Sequence, residues 1–163
     1  MKITLLASFL VMAAYFLLLY AGVGLIQEKK FFSAPREVFA AVPERKAECF
    51  RGAHILGWYL GILAMLLFLG AAVLAAWDGV RNGFTFGAFF ARYLVILYVM
   101  EVYDILFFDW VLLCHSNFFP RFYPEVKGIV GPHLFGYNKK AHLVHFLLYI
   151  PLSAALAWVC TLF

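Results

Sequence analysis

Apolar residues fill four long stretches of this chain, and polar residues collect in the gaps between them. The stretches run over residues 3–26, 54–77, 88–114 and 141–163. A helix rising 1.5 Å per residue needs roughly 20 apolar residues to cross the hydrocarbon core of a bilayer. Each stretch meets that length. The pattern predicts an all-α integral membrane protein, a four-transmembrane-helix bundle forming a single membrane domain over residues 1–163. The first stretch is longer than the roughly 7–15 apolar residues of a signal peptide. No small-x-small cleavage site precedes Gln27-Glu28-Lys29-Lys30, so it is read as a span.

The polar gaps set the orientation. Inner loops 27–53 and 115–140 hold ten of the thirteen Lys and Arg residues. Only Lys2, Arg81 and Arg92 fall towards the other side, where residues 78–87 form a short outer loop. Basic residues in short loops mark the cytoplasmic side. Both termini are therefore expected on the non-cytoplasmic side, in the cytoplasmic (inner) membrane of a bacterium. Ser33 and Pro35 read as the cap and first turn of a short amphipathic inner-loop helix. Pro43 with Glu44 offers a second start, from which helix two would run into its span. Asn138 is placed to cap helix four. Between them, residues 118–137 mix prolines and glycines with aromatics, as expected of a loop lying on the inner interface.

Composition sharpens this. Apolar residues make up 66% and charged residues 13% of the 163, and mean hydropathy is +0.90. Soluble domains average about 25% charged residues, so a water-soluble fold is excluded. The net charge of +4 sits in loops and makes no case for nucleic acid. Cys49, Cys114 and Cys160 have neither the number nor the spacing of a disulfide framework or a zinc knuckle. The expected surroundings are the lipid bilayer and, through the small-residue face of Gly57 and Gly61, either a neighbouring helix or a second copy in a homo-oligomer.

Candidate chemistry concentrates in helix three. It carries Glu101, Asp104 and Asp109, although a charge at the bilayer centre costs about 2.5–3.5 kcal/mol on insertion scales. At an α-helical 100° per residue, Glu101, Asp104 and His115 share one stripe, and Asp109 lies about 80° away from Glu101. That stripe should face a protein interior or a wet cavity. Tyr15, Tyr98, Tyr103, Tyr149 and Ser153 lie at similar depth as partners. His142 and His145 open helix four on a shared face, at the depth of Asp109. Asp109, His142 and His145 are thus the metal-ligand set, with His115 added for catalysis or a proton relay. Arg121, Lys139 and Lys140 are placed to bind anionic headgroups. Haem would need facing histidines on separate spans, and only His54 and His145 offer such a pair. Pro151 should kink helix four one turn beyond His145.

Three functions remain open. A proton- or cation-linked transporter or channel-like protein would use Glu101 and Asp104 as the ion pathway. A membrane-embedded enzyme, possibly metal-dependent, would act on a lipid or other amphiphile at the inner interface through Asp109, His115, His142 and His145. A non-catalytic subunit or scaffold would use its acids only to bond a partner helix.

Overall fold

A computed structural model describes residues 1–32 and 34–163. The chain is helical, and among the described residues its one β contact is an isolated bridge between Glu28 and Arg45. Helix α1 (Lys2–Leu19) continues as a π-helical turn over Tyr20–Ile26. A short α2 (Arg36–Ala41) follows, then α3 (Ala53–Arg81). Helix α4 (Phe86–Tyr103) continues as a π-helix over Asp104–Cys114. The one-turn α5 (Phe118–Phe122) and the long α6 (Lys139–Cys160) complete the chain.

Three of these elements, Lys2–Ile26, Ala53–Arg81 and Lys139–Cys160, are long and apolar enough to cross a membrane. Their outer faces remain apolar: Ile55, Tyr59, Ile62, Leu66 and Leu69 of α3 and Leu143, Leu147 and Leu148 of α6 are all exposed. In water such faces would be costly at roughly 25 cal/mol per Å² of apolar surface, whereas lipid tails cover them without penalty.

Helix α4 sits between the others. Helix α1 packs on α3 and on α4, and α6 packs on α4. The most polar long helix thus has protein on two sides. Two apolar clusters fill the interior. One, at the end near both termini, joins Ala7, Val11, Ala71, Ala75, Phe89, Tyr93, Ile96 and Ala157. The other, at the end bearing the long loops, joins Val23, Phe32, Val38, Val42, Phe108, Leu112, Phe119, Tyr123 and Val126. The polar side chains of α4 and α6 lie between them.

Several loop expectations change. Ser33 lies outside the described residues, and Pro35 occupies the position before α2. No helix starts at Pro43. Residues 43–46 instead pair with the end of α1, as Lys29 N–H donates to Glu44 O (3.0 Å) and Lys46 N–H to Gln27 O (3.1 Å). Helix α3 starts at Ala53, where the Glu48 carboxylate accepts from Gly52 N–H (3.0 Å) and His54 N–H (3.3 Å). A carboxylate there meets the free N–H groups and positive end of the helix dipole. The same bonds, from Gly52 first, hold the Glu48 carboxyl below its usual range. Asn138 does precede α6, but its side chain makes no capping hydrogen bond. Helix α6 runs through Pro151 without a break.

The small-residue face of α3 divides. Gly57 is buried against the π-turn of α1, where a Cβ would come 2.7 Å from Ile26 Cγ1. Gly61 meets nothing within 4 Å and lines an apolar groove with Leu18, Ile26, Trp58 and Met65. The close approach of α1 and α3 accounts for Gly57 within the chain itself.

Candidate functional site

Glu101 is on the last turn of the α-helical part of α4, turned towards α6, and is only 2% exposed. Its oxygen Oε1 lies 2.7 Å from His142 Nδ1 and 3.0 Å from His145 Nδ1. Its other oxygen, Oε2, accepts from the Tyr149 hydroxyl at 2.8 Å. These donors occupy positions 142, 145 and 149 of α6, spacings of three and four that stack on one helical face. Asp109 approaches the far side of the same imidazole, with His142 Nε2 2.8 Å from its Oδ2. Asp104 Oδ2 is 3.8 Å from His142 Nδ1 and bonds the Tyr15 hydroxyl of α1. Three elements therefore converge on one polar layer.

The π-helix is what brings Asp104 and Asp109 together. Bonding from residue i to i+5 widens the turn, so residues five apart stack, whereas on an α-helix they diverge. The same widening removes His115 from the stripe that α-helical spacing predicts. His115 follows the last π residue, is exposed, and its Nδ1 pairs with Trp110 O at 2.7 Å while the ring meets the Trp110 edge. It takes no part in the cluster. The expected metal set of Asp109, His142 and His145 is also rearranged. The three donor atoms within 4.8 Å of one another belong to Glu101, His142 and His145, and Asp109 stands behind His142.

Charge and proton counting define what this layer needs. Three carboxylates and two imidazoles meet, and no Lys or Arg among the described residues pairs with any of them. A neutral imidazole has one N–H, yet both nitrogens of His142 face carboxylate oxygens. With Nε2–H donating to Asp109, the Nδ1 lone pair points at Glu101 Oε1. Only an added proton or a metal cation makes that contact attractive, and at low dielectric the alternative is strongly repulsive.

The donor chemistry fits a metal. Two imidazoles and one carboxylate form the set used by zinc and by non-haem iron sites with open positions. The supporting bonds fit as well: a ligating histidine typically donates its other N–H to a carboxylate, which Asp109 offers to His142 Nε2 at 2.8 Å, and Tyr149 fixes the second oxygen of Glu101. The site is not sealed. The His145 side chain is about half exposed, and a small cavity of 90 Å³, lined by Tyr15, Asp104, Asp109, Tyr137 and Asn138, reaches the acids from the loop end.

Of the other candidate residues, Arg121 lies on α5, away from the cluster, while Lys139 and Lys140 are exposed in the first turn of α6. Tyr98 donates to Phe146 O (3.2 Å), Tyr103 stacks on Phe107, and the buried Ser153 hydroxyl has no hydrogen-bond partner among the described residues. Comparisons with protein-family models, with curated proteins and with solved structures give no match.

Proposed function

We propose that this chain is a four-span membrane protein that holds a divalent transition-metal ion, zinc or iron(II), on Glu101, His142 and His145, for metal-dependent chemistry on an amphiphile. The carrying observation is the convergence of those three donor atoms within 4.8 Å in a layer short of positive charge. A bound metal would supply Lewis acidity towards a carbonyl or phosphoryl oxygen, or a water of lowered pKa.

The chain's own groups prepare that chemistry. Asp109 keeps the His142 proton on Nε2 and leaves Nδ1 free for the cation. Tyr149 engages Oε2 of Glu101 and leaves Oε1 facing the Nδ1 atoms of His142 and His145. Three protein ligands leave a position open, the arrangement of catalytic sites as opposed to closed structural ones. The half-exposed His145 opens the layer sideways, towards a substrate dissolved in the bilayer.

In this reading Phe86–Cys114 is the fourth crossing, and its acids are tolerated because α1 and α6 flank it. The termini face outward and loops 27–53 and 115–140 inward, on the distribution of Lys and Arg. Cation transport is the second reading, supported by the descent of Glu101, Asp104 and Asp109 along one helix. It would need a route past the packed Ala7, Val11, Phe89 and Ile96 cluster at the other end.

The test is elemental analysis of protein purified in mild detergent without chelator. About one metal ion per chain is expected, with a Glu101→Ala, His142→Ala double variant reduced to background. A native chain carrying no more metal than that variant overturns the proposal. Flux into proteoliposomes that disappears in Glu101→Gln would favour transport over catalysis.

A further inference from the structure

We infer that a second site, separate from the metal layer, holds a single anionic phospholipid between α1, the end of the α4 π-helix and α5. A cavity of about 480 Å³ lies there, the size range of pockets that bury much of a small ligand. Phe16 and Tyr20 of α1 form one wall, and Leu112, Phe118 and Phe122 form the other. Its polar rim is Ser116, Asn117 and Arg121. Apolar walls with a polar rim at one side match an amphiphile entering tail first.

Charge selects the occupant. The loop cations Lys29, Lys30, Arg45 and Lys46 all have acid partners: Glu44 for Lys29, Glu28 for Lys30 and Arg45, and Glu125 for Lys46. Arg121, like Arg36, Arg51, Lys127, Lys139 and Lys140, has no such partner among the described residues, and of these six it is the one that lines the cavity. Its planar guanidinium presents donors in a fork that matches two phosphate oxygens. Asn117 accepts from Arg121 N–H through its backbone carbonyl (3.0 Å), while its exposed side-chain amide, without a partner among the described residues, offers an N–H beside the guanidinium. Ser116 is not available to the headgroup as a donor, because its hydroxyl donates to Leu112 O at 2.8 Å and accepts from Phe118 N–H. It fixes the rim instead, holding the start of α5 on the end of the π-helix.

The rim is built by the same loop whose aromatic content marks it as an interfacial segment, and edge-to-face contacts of Phe118 with Phe119 and Phe122 stiffen it. Tyr20 meets Phe122 edge-on at 5.9 Å, so the two walls touch each other. An acyl chain would lie between the walls and the phosphate would reach Arg121.

Native mass spectrometry of the protein released from nanodiscs of mixed phosphatidylglycerol and phosphatidylcholine tests this. The expected result is a retained phosphatidylglycerol at low occupancy of phosphatidylcholine, with the preference reduced at least tenfold in Arg121→Gln. Phe122→Ala should weaken retention of both lipids, and Lys127→Gln, outside the cavity, should change nothing. Equal retention of the two lipids by the native chain overturns the inference, as does an unchanged preference in Arg121→Gln. A loss in Lys127→Gln equal to that in Arg121→Gln also overturns it, since the attraction would then be that of a diffuse basic surface. Displacement of the lipid by inorganic phosphate alone would show a free-anion site and overturn it too. Metal content should be unaffected by any of these variants, which separates this site from the metal layer.

Discussion

Buried charge occurs in two places along α4, and the two are solved differently. Near its start, Arg92 donates through Nη1 to Ala75 O (2.7 Å) and through Nη2 to Asp78 Oδ2 (2.7 Å), beneath the Phe84 ring. One cation meets one anion, a carbonyl takes a second donor, and the sum of charge is zero. Roughly two and a half to four and a half turns further on, Glu101, Asp104 and Asp109 meet His142, His145 and the hydroxyls of Tyr15 and Tyr149, none of them a fixed cation, and the sum is negative unless protons or a metal join them. The balanced site needs nothing from outside and ties α3 to α4. The unbalanced one is incomplete by itself, and incompleteness at such cost is the signature of a site that receives something.

That contrast can be broken at either end. The largest effect is expected from Glu101→Ala combined with His142→Ala, which should take metal from stoichiometric to background by elemental analysis while the detergent-solubilised chain stays helical by circular dichroism. If metal persists, the acid layer is structural, like its counterpart. Next comes Arg92→Met, which leaves Asp78 without its partner. It should cost about 3–5 kcal/mol, seen in thermal unfolding, with metal content unchanged. Adding Asp78→Leu should recover most of the loss, because an apolar pair replaces a neutral one. Failure of that rescue would mean Asp78 has a role beyond the pair.

Smaller changes refine the acid layer. Asp109→Asn keeps the hydrogen-bonding shape but removes the charge behind His142, and should weaken metal affinity by about 10–100-fold without changing stoichiometry. An unchanged affinity would remove Asp109 from its positioning role. The smallest effect concerns an exposed charge, Glu48 at the start of α3. Its carboxyl is held below the ordinary value of 4.5, chiefly by the Gly52 N–H. A lowered folded-state pKa means the stabilisation is complete above 4.5 and is lost as pH falls through the folded value. The protection factors for hydrogen exchange at residues 52–56, which correct for the intrinsic pH dependence of amide exchange, should therefore fall on acidification through that folded value in the native chain. In Glu48→Gln they should already be lower at neutral pH and nearly flat over the same range.

How much of this was legible in the sequence depends on what kind of coordinate is asked for. Hydropathy locates the long helices within a few residues, because a run of apolar side chains is a local property. It also gives depth in part: Tyr149 and Tyr15 lie near the heights of Glu101 and Asp104 and do bond them, whereas His145, expected level with Asp109, reaches Glu101 instead. Direction around the helix axis was not legible past Tyr103. The expectation for His115 rests on 100° per residue, and the π-helix breaks that count. The change in the donor set has a related origin, since the wider helix carries Asp109 behind His142 while Glu101, ahead of it, meets both imidazoles. In the loops, Pro43 and Glu44 are a sound local signal for a helix start, yet the tertiary pairing of residues 43–46 with the end of α1 prevails. Glu48, four residues before Gly52, was the signal that could have located the true start.

The wide helix also makes the spacing of this segment unforgiving. An α-helix advances about 100° per residue, so a ladder that reverted to ordinary bonding at unchanged length would turn Asp109 by roughly 90° away from His142. The chain would keep every functional side chain and lose their meeting point. The bonding pattern of this stretch therefore shapes the cluster as much as the identity of its acids does, and it is the match between ladder and length that holds Asp109 behind His142.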